Sequence, residues 1–227
     1  MSEKHFAYCV AGGWPSNPDI LDHCLRRALD ACKKRHPNIA YVGTASGDDQ
    51  SFFHNMESLL RKAGAGEVKL VPLAGKTHDA EAAEQMLKAS DAVFLSGGEV
   101  EDGMKWLRFY GIDRVLRNLF ENGKVFFGLS AGSIMMGSHW VHWDNAEDDT
   151  TASLFDCLGF IPTVFDTHAE NENWKELKTA LRLLGPGTKG FGIPSNGMLL
   201  ADSEGGLTNL EGKMLSFRNC AGTVKEI

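Results

Sequence analysis

Val125-Phe126-Phe127-Gly128-Leu129-Ser130-Ala131-Gly132-Ser133 decides the fold of this 227-residue chain. Its apolar run reads as a strand buried on both faces, the habit of parallel sheets. The run ends in Gly-x-Ser-x-Gly. Glycines on either side of Ser130 permit a sharp strand-to-helix turn that lifts the serine hydroxyl out of the sheet and into a cleft. The first N–H groups of the next helix have no intrahelical acceptor and are free to hold a developing oxyanion. The same residues also suit an ordinary glycine-rich turn, so the surrounding elements must decide.

Those elements alternate. Residues 6–11 read as a first strand, closed by Gly12-Gly13, and 19–35 carry a helical stripe of Ile20, Leu21, Cys24, Leu25, Ala28, Leu29 and Cys32. Strands are predicted at 39–42, 68–71 and 92–95. Helices are predicted around Phe52–Leu60, at 80–89, and over 104–122 with a break near Gly111. This βαβα order predicts an α/β fold: a mostly parallel, doubly wound sheet with helices on both faces. Sites in such sheets lie at the carboxyl ends of the strands, where Gly12, Gly43, Gly97 and Ser130 fall. Further along, 139–143 and 165–168 read as strands, 144–150 as an acidic loop and 174–184 as a helix. Residues 191–193, 198–201 and a hairpin around Glu211-Gly212 read as short strands. No repeat or linker interrupts the pattern, so one domain over 1–227 is expected.

Hydrophobic content of 43% and charged content of 23% are those of a soluble globular protein. A net charge of −7 disfavours nucleic acid and anionic membrane surfaces. Met1-Ser2-Glu3-Lys4 leads straight into a strand-like run, with neither a signal peptide nor a spanning segment, so a cytoplasmic location is expected. Cys9, Cys24, Cys32, Cys157 and Cys220 are scattered and odd in number, which reads as reduced thiols and not as a disulfide frame or zinc site. His139 and His142 stand three apart on a predicted strand, on opposite faces, so no metal is expected; no P-loop or G-x-G-x-x-G follows Gly12-Gly13, so no cofactor is expected either.

A serine hydroxyl needs a base. Among eight histidines, His168 stands at the end of a strand-like segment downstream of Ser130. It reads either as that base or as a surface histidine at a strand–helix junction.

Ser130-Ala131-Gly132-Ser133, with Leu95-Ser96-Gly97-Gly98 upstream and Asp166-x-His168 downstream, resembles peptidase family S51, which holds the aspartyl dipeptidases (peptidase E) and the cyanophycinases. The resemblance runs from the first strand to about Ala201. It implies a class I glutamine amidotransferase-like fold, Ser130 as nucleophile, His168 as base, and oxyanion donors from the backbone of Gly98 and Ala131. For the acid of the triad two residues stand open: Asp144, near the family's aspartate spacing, and Asp166, which would share a strand face with His168. A glutamate that the family carries in a late Gly-Ile-x-Glu context is absent from Gly192-Ile193-Pro194-Ser195-Asn196.

The chain also departs from the family near the substrate. Glu99 follows Gly97-Gly98 where peptidase E-like members carry asparagine, and Ala169-Glu170-Asn171-Glu172 replace a segment that often carries phenylalanine and arginine. Without the arginine, an acidic substrate side chain loses its natural partner. Gly97 and Glu99 are expected at the substrate, where Glu99, Glu170 and Glu172 would attract a cationic group; Glu170 and Glu172 also read as solvated surface charge. The expected activity is a serine-type exopeptidase, dipeptidase-like, acting on short peptides. Its expected partner is a short peptide substrate, with no nucleic acid and no membrane, and a homodimer is permitted. Two alternatives are a non-catalytic relative that binds a small molecule or protein, and an α/β-hydrolase esterase. The esterase is disfavoured because no histidine follows His168.

Overall fold

Helix starts are written locally. Asn17 accepts from the N–H groups of Asp19 and Ile20, with Pro18 in the first turn; Asp49 and Asp79 cap the second and third helices in the same way. The computed structural model describes residues 4–13, 17–145 and 148–227. Met1, Ser2 and Glu3, and Glu147 of the acidic loop, lie outside the described residues.

In chain order come β1 (Phe6–Val10), α1 (Pro18–Asp30), β2 (Ile39–Val42), α2 (Gln50–Ala63), β3 (Val68–Val71), α3 (Ala80–Ala89) and β4 (Ala92–Leu95). Then follow α4 (Val100–Phe109), α5 (Ile112–Glu121), β5 (Val125–Leu129), α6 (Ala131–Met136), β6 (His139–Trp143), β7 (Ala152–Asp156) and β8 (Val164–Thr167). The chain closes with α7 (Lys175–Leu184), β9 (Lys189–Ile193), β10 (Met198–Asp202), β11 (Leu207–Glu211), β12 (Leu215–Cys220) and β13 (Thr223–Glu226).

A seven-stranded sheet runs β11-β10-β1-β5-β4-β2-β3. Its five strands from β1 to β3 are parallel, and β10 and β11 add antiparallel at one edge. Successive strand residues face opposite sides, so Phe126 and Phe127 enter different cores. Phe127 packs with Tyr41, Phe94 and the apolar stripes of α1 and α2. Phe126 joins Val93, Leu95 and residues of α3, α4, α5 and α6 on the other side. The mostly parallel sheet with helices on both faces is the architecture expected from the sequence.

The second half of the chain departs in detail from its reading. A separate four-stranded sheet, β13-β12-β9-β8, carries α7 through Trp174, Leu177, Leu181 and Phe217. The predicted hairpin around Gly212 does not form: β11 pairs with β10 in the large sheet, whereas β12 pairs with β9 in the small one. The strand β7, read as no element, pairs antiparallel with β6. The first helix ends at Asp30, short of the predicted 35, and β8 ends at Thr167, one residue before His168.

Candidate active site

Ser130 stands between β5 and α6 with φ 51° and ψ −118°, a backbone conformation a non-glycine residue adopts only when its surroundings enforce it. The surroundings are visible. The Ser130 N–H donates to the Val10 carbonyl of β1 at 2.9 Å, and the Ser130 carbonyl accepts from Ser133 and Ile134. The fully buried Ser133 hydroxyl lies 2.9 Å from the Val10 carbonyl and 2.8 Å from that of Gly128, pinning α6 to the ends of both strands. Gly132 is a requirement of packing: a Cβ there would lie 2.1 Å from the Leu95 carbonyl oxygen of β4. The second glycine of the motif therefore lets the helix sit against the neighbouring strand while Ser130 projects.

Ser130 Oγ lies 2.7 Å from His168 Nε2. The distance is that of a nucleophile hydrogen-bonded to its base. His168 arrives just past β8. Its N–H still donates to the Ile193 carbonyl and extends the β8–β9 ladder, but its φ of 44° turns the chain out of the strand. The imidazole is consequently exposed, on a cavity of about 280 Å³.

Gly98 and Ala131 line that cavity beside Ser130. Ala131 is the first residue of α6, so its N–H has no acceptor within the helix. Gly98 has φ +135°, and a Cβ there would lie 2.0 Å from the Ala45 carbonyl oxygen, so glycine alone fits. Gly97 packs against Ser130, a Cβ on it reaching Ser130 Cβ at 3.5 Å. Glu99 lines the cavity and is exposed.

The two carboxylates considered for the triad do not meet His168. Asp144 is 85% exposed and lies 3.4 Å from His142 Nε2, while Glu101 engages the other nitrogen of that ring at 2.9 Å. Asp166 lines the cavity but is only 4% exposed, and its oxygens accept from the N–H groups of Thr167 and Leu177. The shared strand face expected for Asp166 and His168 is lost because β8 stops between them. Burial, with help from the neighbouring Glu176 carboxylate, pushes the Asp166 carboxyl up to about 7. Glu170 accepts from the Ser195 N–H at 2.5 Å and lies 3.3 Å from its hydroxyl.

Sequence reading missed Glu176 as a member of the site. It stands in the first turn of α7, accepts from Trp140 Nε1 at 2.7 Å, and lines the cavity with Trp140, Ile134 and Glu172. Burial raises its carboxyl, and Glu172 and Glu99 add to the effect. Trp140 reads from the sequence as core or cleft wall; Glu176 gives no local signal, because only the packing of α7 against β6 and β8 brings it there. Among the described residues no three or more His, Cys, Asp or Glu side chains are placed to hold a metal ion, and no described helix is long and apolar enough to cross a membrane.

Comparison with known proteins shows the family and the fold. The curated relative "Uncharacterized peptidase YgaJ" of Bacillus subtilis (strain 168) is 24% identical over 161 residues, covering 71% of this chain and 66% of its own length. The crystal structure of a peptidase from an acI-B1 Actinobacterium superposes with a TM-score of 0.71 at 15% identity, over 100% of this chain and 99% of that one. The family model for peptidase family S51 matches residues 9–207, and this span displaces the esterase reading: the chain belongs to peptidase family S51.

Proposed function

We propose that this S51 peptidase is a serine-type exopeptidase acting on short peptides. The 2.7 Å contact between Ser130 Oγ and His168 Nε2, at the mouth of a cavity flanked by Gly98 and Ala131, carries the reading. In the forward half-reaction Ser130 Oγ attacks the scissile carbonyl carbon as His168 Nε2 takes the hydroxyl proton. The carbonyl oxygen becomes an oxyanion facing the N–H groups of Gly98 and Ala131. The Ser130 N–H is already committed to Val10, so the donors come from its neighbours. His168 then returns the proton to the leaving amine, and the C–N bond breaks to give an acyl-enzyme. Water, deprotonated by His168, releases the acid and restores Ser130. A cavity of about 280 Å³ suits one or two residues and not an extended chain.

The test combines a fluorophosphonate probe with a panel of dipeptides. Labelling of Ser130 and hydrolysis that disappears in Ser130→Ala are expected. A protein that neither labels nor cleaves would be the binding-only relative on the same scaffold.

A further inference from the structure

Resting on the serine-peptidase reading above, we propose that the cavity beside Ser130 selects peptides whose first residue is lysine or arginine, holding the α-ammonium and the basic side chain on separate carboxylates. Glu99, Asp166, Glu172 and Glu176 line the same small space as Ser130 and His168. No lysine or arginine is among the described residues that line it. Cations on the neighbouring helices are engaged elsewhere: on α4 Arg108 donates to the Asp156 carbonyl and sits over the Phe155 ring and Lys105 sits over Trp106, and on α7 Lys175 pairs with Asp149 and Lys178 donates to Asn173.

The carboxylates are mutually uncompensated. Asp166 is pushed up by burial and then by Glu176 and Glu172, and Glu176 by burial and then by Glu172 and Glu99. An acidic first residue would add to this repulsion; a cation relieves it, and in a partly desolvated cavity that difference is magnified. Exposure divides the four in two. Glu99 and Glu172 are exposed at the rim, within reach of an α-ammonium at the acyl side of the scissile bond. Asp166 and Glu176 are the less exposed pair, lining the cavity with Trp140, whose indole N–H fixes Glu176. A single ammonium needs one pair; a residue with a basic side chain uses both.

The experiment measures kcat/KM for Lys-Leu, Arg-Leu, Leu-Leu, Asp-Leu, Nα-acetyl-Lys-Leu and Nα-acetyl-Leu-Leu. Lys-Leu and Arg-Leu are expected to exceed Leu-Leu by about tenfold or more, with Asp-Leu the poorest. The lysine advantage should persist in the acetylated pair, which isolates the side chain from the α-ammonium. It should shrink in Glu176→Gln or Asp166→Asn, the pair assigned to the side chain. Equal rates for Lys-Leu and Leu-Leu, a preference for Asp-Leu, loss of the lysine advantage on acetylation, or an unchanged ratio in both variants would each overturn the proposal. A binding arm separates this inference from the catalytic one. Ser130→Ala protein, titrated calorimetrically, should bind lysinamide more tightly than leucinamide whether or not the wild type turns over. Equal binding sinks the charge selection even if Ser130 proves to be a nucleophile.

Discussion

Glu170 holds Ser195 by both its backbone and its side chain, at 2.5 Å from the N–H and 3.3 Å from the hydroxyl. Ser195 borders His168: a Cβ on Gly13 would meet His168 Cβ at 2.7 Å and Ser195 Oγ at 2.8 Å. Glu170 is therefore tied to the neighbourhood of His168 through Ser195, from the turn after His168 and not from the β9 end where the Gly-Ile-x-Glu glutamate is missing. An orienting acid must fix the imidazole tautomer. Glu170→Gln is expected to lower kcat more than Asp144→Asn does, with thermal stability nearly unchanged. Steady-state kinetics of both variants, with melting curves, check the ranking; a larger loss in Asp144→Asn reverses it.

Ser130→Ala removes one hydroxyl from a turn held by backbone bonds and by Ser133. Turnover should fall by on the order of 10³–10⁶ while the melting temperature stays close to wild type. Retained turnover in the purified variant would exclude the serine mechanism. His168→Ala should lose activity on a similar scale, because the nucleophile then lacks its 2.7 Å acceptor.

Gly98→Ala tests the oxyanion wall. The new methyl would be driven into the Ala45 carbonyl at 2.0 Å, at a φ that L side chains rarely adopt. Strain of this kind costs on the order of 1–3 kcal/mol before the displaced backbone is counted. Both the unfolding free energy and kcat should drop. A variant as stable and active as the wild type would mean that the turn after β4 relaxes freely.

Asp166 gives a pH signature. Its carboxyl is raised from 3.8 to about 7 in the folded chain, so between those values the folded state binds more protons than the unfolded state. Stability is then lost as pH rises from about 4 through 7. Glu176, also raised by burial, acts in the same direction. Asp166→Asn should flatten the fall in melting temperature between pH 5 and pH 8, by about 1 kcal/mol or more in stability. Parallel pH profiles for the two proteins would show that Asp166 ionises without cost.

What the sequence determined by itself was whatever rests on short-range pattern. The apolar runs of β2, β3 and β4 and the 3.6-residue stripe of α3 are read with the bounds the structure shows, because strand burial and helical amphipathicity are properties of neighbouring residues. The elbow at Ser130 is equally local: Gly128 and Gly132 announce the close approach that projects the hydroxyl. Tertiary structure alone decided where the later strands went. β11 and β12 look like partners across Gly212, yet each pairs in a different sheet. It also decided the electrostatics. Asp166 and His168 are two residues apart but diverge because β8 ends between them, whereas Glu99 from the start of α4 converges on one cavity with Glu172 and Glu176, which flank the start of α7. Charge adds through space and not along the chain, so the sequence points to Glu99 and Glu172 near the site but not to Glu176 and Asp166 joining them in one acidic pocket.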